Sequence, residues 1–354
     1  MKALLQFRVF PSPGALAQRL TMAALIGAVA GCDNDTKPSD SFEVAAKGIH
    51  GAALSGDGRY AAIGSIHHGG SLWSTGDGER QFNWNHRPDE TTTIISADFS
   101  PNGEFALTAA PHTLVLWSLR PPQAGGAQPG QPERFWTSPG EVLSIALTNR
   151  GRYALLGLAD HSAVLFDVIN GGIQRTLNHR SRVRSVDLSE DGRYALTGSE
   201  DYTAVFWDLQ AGPDGTATEV LQRVQHQDDV QLVALSPDGK LALSAAKYDK
   251  AVLWDTRSGD TVGTIPLAAE GLRRGIRFTA ARFSSDGRQL ITGRPDQVVQ
   301  LWSTASLREL ARWKLPKRDA WKPTSAAVVA VSFSDGEGQY YAVSSNGFVH
   351  RLSK

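Results

Sequence analysis

Residues 188–208 read LSEDGRYALTGSEDYTAVFWD, and the interpretation of this run decides the architecture. An apolar strand ends at Ser189, turns at Asp191-Gly192 and returns through RYALTG (193–198). A second turn carries Asp201, and a third strand ends in Trp207. With His179 upstream, Thr197 and Asp201 have the makings of a nucleophile, a base and an orienting carboxylate. The same residue types equally suit a brace inside a sheet, because a buried indole N–H needs an acceptor and a threonine hydroxyl is one. A hydrolase would also need an exposed nucleophile and an oxyanion hole, and nothing near Thr197 suggests either. The brace is the expected role, and no catalytic residue is assigned.

The turn signal recurs at Asn102-Gly103, Arg150-Gly151, Asp238-Gly239, Asp286-Gly287 and, at the two ends, Asp57-Gly58 and Glu337-Gly338. The steps are roughly 41 to 51 residues, and a fixed period of that size marks a repeat architecture. Before each turn lies an apolar strand closing on Ser or a close substitute (ADFSPNG, VALSPDG, ARFSSDG). After it come a second strand and a third ending in Trp73, Trp117, Phe166, Trp207, Trp254 or Trp302, with Leu352 in the last repeat. ERQFNW, GIQRTL, EVLQRV and LRELARW read as fourth strands. Glycine tolerates the left-handed backbone of a tight hairpin, and no stretch shows a sustained helical period. Four strands repeated seven times predict an all-β, seven-bladed β-propeller. The last repeat stops at its third strand, so SFEVAAK (41–47) is expected to complete the seventh blade and close the ring, which otherwise leaves edge strands exposed.

These residues resemble the WD40 repeat family over 42–354. That resemblance implies a structural tetrad of histidine, Ser or Thr, Asp and Trp, matched in full by His179, Thr197, Asp201 and Trp207. The fifth repeat keeps His226, Ser244 and Trp254, with Tyr248 where the Asp is expected. The sixth keeps Thr292, Asp296 and Trp302, with Arg274 in the histidine's place. Repeats 1, 2, 3 and 7 have mostly lost the set. The insertions at 120–133 and 211–217 read as solvated connections between third and fourth strands.

The first 31 residues read as a signal peptide. Lys2, Arg8 and Arg19 precede LTMAALIGAVAG (20–31), whose helix would reach only about 18 Å against a hydrocarbon core of roughly 30 Å. VAGC (29–32) resembles a bacterial lipobox, which implies lipidation of Cys32 and a mature chain beginning there. Cys32 is the sole cysteine, which excludes an internal disulfide and a cysteine-based zinc cluster. Asp33 resembles the signal that retains lipoproteins in the inner membrane. Residues 32–41 are expected to be a polar tether; its nine residues after Cys32 reach at most about 32 Å. The expected address is the periplasmic side of a bacterial membrane, lipid-anchored.

Lys plus Arg total 36 and Asp plus Glu total 36, so nothing draws the whole chain to nucleic acid. No cofactor and no metal is assigned: His67, His68, His112 and His161 lie on loops of neighbouring repeats without a fixed carboxylate among them. Loops gathered at one channel mouth offer Arg180, Arg182, Lys247, Arg273, Arg274, Arg277, Arg294 and Trp321 as a basic rim with an aromatic anchor, offset in part by Asp228 and Asp229. The expected function is an interaction scaffold for a protein or peptide in the cell envelope. The alternative is a propeller enzyme or small-molecule binder using the channel mouth; quinone-dependent dehydrogenase propellers are the comparison, but their vicinal cysteines are absent here.

Overall fold

The computed structural model describes residues 35–121, 129–211, 217–247, 250–265, 277–319 and 326–354. Their strands form seven four-stranded antiparallel sheets, a seven-bladed β-propeller without a helix among the described residues. Within each blade the strands are called a to d from the channel outward. Blade 1 runs from Ile49–Leu54 to Arg80–Asn83, blade 2 from Ser96–Phe99 to Pro132–Thr137, and blade 3 from Val142–Leu147 to Ile173–Asn178. Blade 4 comprises Val183–Leu188, Tyr194–Ser199, Thr203–Ala211 and Ala217–Gln225. Blade 5 runs from Val230–Leu235 to Thr261–Ile265, and blade 6 from Ala280–Phe283 to Glu309–Lys314. At the expected 211–217 connection strands c and d of blade 4 run on for nine residues each, so that Ala211 pairs with Ala217.

The seven glycines of the repeated turn all adopt positive φ, between 63° at Gly151 and 73° at Gly58. In blade 4 the Ser189 hydroxyl donates to Asp191 (2.6 Å) while accepting from Tyr194 N–H (2.9 Å), which holds the a–b loop shut. The loop geometry thus explains why Ser, Asp and Gly recur together.

Blade 7 comprises Val328–Phe333, Gln339–Ser344 and Phe348–Ser353, and its outer strand comes from the other end of the chain. That strand is Asp40–Glu43, not the expected 41–47, with Asp40 opposite Arg351 and Glu43 opposite Phe348. Val44 and Ala45 have left the sheet to pack, buried, against blade 1. The closure has its own polar lock. His350, fully buried, shares one ring nitrogen with Ser41 Oγ at 2.7 Å and the other with Ser344 Oγ at 2.8 Å. Burial pushes its pKa down to about 4, so the lock is neutral at physiological pH.

The 32–41 stretch is not a free tether throughout. Thr36 N–H donates to Arg312 O (3.1 Å) and Thr36 O accepts from Lys314 N–H (3.0 Å), both on strand d of blade 6. Ser39 then donates from N–H and Oγ to Arg351 O. The chain is therefore strapped across the blade 6–7 seam before it enters blade 7.

Adjacent blades are glued by apolar clusters. One combines Leu155, Ala163 and Leu165 of blade 3 with Val183, Val186 and Trp207 of blade 4; another joins Leu253 and Ile265 of blade 5 to Phe283 and Trp302 of blade 6. The bulky third-strand residue of each repeat packs toward the preceding blade, Leu352 included. This is why strands b and c read as nearly continuous apolar runs: both faces are covered. Three outer indoles also cross to the next blade: Trp84 donates to Gly130 O, Trp136 to Val168 O and Trp313 to Ser353 O.

Blades 1 and 2 meet backbone to backbone. A Cβ at Gly64 would sit 2.4 Å from Ile94 O, and one at Gly51 would sit 2.5 Å from Ile95 O. Gly64→Ala is expected to cost about 1–3 kcal/mol through forced separation of these blades. A denaturant melt against the wild type reads the loss, and an unchanged midpoint would refute the tight-approach argument.

Candidate functional site

In blade 4 the four tetrad residues meet inside the sheet. Trp207 Nε1 donates to Thr197 Oγ1 (2.9 Å), Thr197 Oγ1 meets His179 Nε2 (2.8 Å), and His179 Nδ1 meets Asp201 Oδ2 (3.1 Å). Strand register sets this up: Ala195 lies opposite Trp207, so Thr197 presents its hydroxyl two residues along the same face. Thr197 is 0% exposed, and its hydroxyl is already shared between an indole and an imidazole. A nucleophile so placed has no route to a substrate. Burial lowers the pKa of His179, although Asp201 opposes it. Burial also tends to raise Asp201, but Arg180 N–H, the Thr203 hydroxyl and His179 outweigh it and hold the carboxyl below its usual range.

The other blades keep parts of this relay. In blade 5, His226 Nε2 meets Ser244 Oγ (2.8 Å), which accepts from Trp254 Nε1 (3.2 Å); Tyr248 lies outside the described residues. In blade 6, Trp302 Nε1 donates to Thr292 Oγ1 (2.9 Å). Asp296, expected as that blade's tetrad acid, is instead held by the Arg294 guanidinium at 3.0 and 2.5 Å. This corrects a second expectation too: Arg294 is 4% exposed and belongs to the interior, not to a partner-binding rim, since its charge is matched locally by Asp296. Blade 2, counted among the repeats that have mostly lost the set, keeps a brace without the carboxylate. Trp117 Nε1 donates to Thr108 Oγ1 (2.8 Å), and His86 bridges Thr108 (2.9 Å) to Thr113 (2.6 Å), a threonine at the start of strand c that takes the bonding role Asp201 has in blade 4. In blade 1, Trp73 finds Ser71 on its own strand instead.

The rim residues are divided. Arg180, Arg182 and Arg277 are exposed, and Lys247 is half-buried beside Asp229, whose carbonyl accepts its N–H. Arg184 pairs with Glu200 at 2.5 Å. Burial, Glu200 and Asp228 together raise the Asp229 pKa, so this mouth is of mixed charge near blades 4 and 5, not a basic strip. Cys32, Arg273, Arg274 and Trp321 lie outside the described residues. His67, His68, His112 and His161 are exposed, and among the described residues no group of three or more His, Cys, Asp or Glu is placed to hold a metal ion.

The channel is a cavity of about 650 Å³ lined by strand a of all seven blades. The penultimate residues of those strands share one register tier, Ala53, Asp98, Ala146, Asp187, Ala234, Arg282 and Ser332, of which all but Ala234 and Ser332 line the cavity. Charged side chains alternate with small ones, which gives each charged group room to reach over its neighbour. Asp98 accepts from Leu147 N–H of blade 3 (2.8 Å) and Asp187 from Leu235 N–H of blade 5 (2.7 Å). Arg282 donates to Leu54 O (2.9 Å) and Ser332 to Ser55 O (2.8 Å), both in blade 1. These bonds tie blades together at the channel wall. Enclosure by the ring pushes Asp98 up to about 6 and Asp187 up to about 7, with Arg282 pulling both down only in part. Sequence reasoning passed over this tier, although ADFS, VDLS and ARFS carry a charge at one shared position within otherwise apolar strands.

Among the described residues no helix is long and apolar enough to cross a membrane. No curated protein matches the chain. Residues 171–208 match the family described as WD domain, G-beta repeat, a segment that contains all four tetrad residues of blade 4. That match and the seven-bladed ring together support the WD40 β-propeller family, and a propeller of that family suggests a protein-interaction scaffold in general.

Proposed function

We propose that this chain is a lipid-anchored scaffold on the periplasmic side of a bacterial membrane, binding a protein or peptide partner on a propeller face and catalysing no reaction. The observation that carries the binding role is the burial of Thr197. The blade 4 constellation of catalytic residue types is consumed by the brace, which leaves the exposed loops as the working surface. Arg182 and Arg277 are exposed there, and arginine is favoured where interfaces concentrate their energy. The anchor rests on VAGC (29–32) and the uncharged run before it, and the inner membrane on Asp33.

Photo-crosslinkers at Arg182 and Arg277 in the full chain, with Lys240 on the opposite face as the comparison, test the scaffold role. Capture of one same protein from the first two positions and not from the third supports it; equal capture from all three, or none from any, removes it. Cys32→Ala is expected to move the protein from the membrane fraction to the periplasmic fraction. Unchanged membrane association in that variant would end the lipid-anchor reading.

A further inference from the structure

We propose that the outer rim of blades 6 and 7 is the surface that meets the lipid headgroups, so that the propeller stands edge-on and both channel mouths stay open to the periplasm. This rests on the lipid anchor at Cys32 proposed above. Its own support is the strap. Thr36 is clipped to Arg312 and Lys314 of blade 6, and Ser39 is clipped to Arg351 of blade 7. Thr36 is the fourth residue after Cys32, so the chain between them has a reach of at most about 14 Å. The channel wall is three strand spacings farther in, about 14 Å. The anchor therefore acts at the edge of the ring, not at its axis.

Charge argues for the same contact. Lys37, Arg308 and Lys354 are exposed along this seam, while Arg312 and Arg351 are engaged by Glu309 and Asp40. Basic groups within a Debye length of an anionic leaflet are drawn to it. The two faces are of mixed charge instead: Asp238 and Asp286 pair with Lys240 and Arg288 on the a–b turn face, and Glu200, Asp228 and Asp229 lie among Arg180, Arg182 and Arg184 on the other.

The mature lipidated chain tests this in vesicles of phosphatidylcholine and phosphatidylglycerol bearing a headgroup-linked quencher. Because lipid consumes the sole native thiol, one engineered cysteine takes one fluorophore. Four variants compare positions: Arg308→Cys on the blade 6 rim, Gln174→Cys on the blade 3 rim, and Lys240→Cys and Arg182→Cys on the two faces. Quenching at 308 is expected to exceed that at the other three positions several-fold. Thr36→Pro removes the N–H that bonds Arg312 O and frees the chain as far as Ser39, which is expected to lower quenching at 308. Equal quenching at 174 and 308, strongest quenching on either face, or no change with Thr36→Pro would overturn the rim contact while leaving a lipidated chain intact. A mature chain whose mass shows Cys32 unmodified would remove the anchor reading, and the rim contact with it.

Discussion

Thr197→Val is expected to lower the unfolding free energy by about 3 kcal/mol, because it leaves two buried groups without their shared partner. Valine keeps the shape but neither accepts from the Trp207 indole nor pairs with His179 Nε2, and the site is closed to water that would substitute. For a domain of this size the melting temperature is expected to fall by roughly 4–5 °C. The double variant Thr197→Val/Trp207→Phe should cost less than the two single losses combined, since the second change removes one of the orphaned donors. Thr108→Val in blade 2 should behave similarly, softened by the bond His86 retains to Thr113. A loss of less than about 1 kcal/mol at Thr197 would mean that the relay is a spectator to stability.

The second large effect is on pH dependence. Asp98 and Asp187 have folded pKa values of about 6 and about 7, raised above the unfolded value. The folded chain therefore holds more protons at these sites, and their contribution to stability falls as pH rises from about 4 through those values. His86 and His350 are depressed to about 4, so their contribution is present above the unfolded histidine value and falls as pH drops from about 6.5 toward 4. Each group carries about 3–4 kcal/mol across its window, the carboxyls with one sign and the imidazoles with the other. The carboxyls thus offset part of the loss on acidification that His86, His350 and the likewise depressed His179 bring, and the wild-type chain is expected to show a shallower profile between pH 4 and 6.5 than the imidazoles alone would give. Asp98→Asn/Asp187→Asn removes one side of the balance while keeping a side-chain oxygen for Leu147 and Leu235 N–H. This variant should lose stability steeply on acidification from pH 6.5 and be more stable than wild type at pH 8. Denaturant midpoints at half-unit pH steps read both signs, and parallel profiles for the two proteins would refute the opposed-titration account.

Much of this was readable because it is local. Ser, Asp and Gly in the a–b turn, the apolar strands around it and the third-strand indole lie within about one repeat period, and that spacing reports the hairpin directly. The blade 4 brace was legible for the same reason: Thr197, Asp201 and Trp207 sit on one hairpin. The blade 2 brace was not. His86 precedes Thr108 by 22 residues where His179 precedes Thr197 by 18, and Thr113 replaces the carboxylate, so the pattern failed although the hydrogen bonds survive. Asp296 erred the other way, with the right spacing but a guanidinium two residues away as its partner.

Sequence by itself determined the number of blades, the turns between their strands and the need for an N-terminal strand to close the ring, since each follows from periodic patterns that a strand or turn imposes on adjacent residues. Only the tertiary structure decided the register of Asp40–Glu43 against Phe348–Ser353, the strap of Thr36 on blade 6, the His350 lock and the alternating channel tier. Those pairings join residues from 40 to more than 300 positions apart, and ring closure brings them together without leaving any spacing in the chain to announce it.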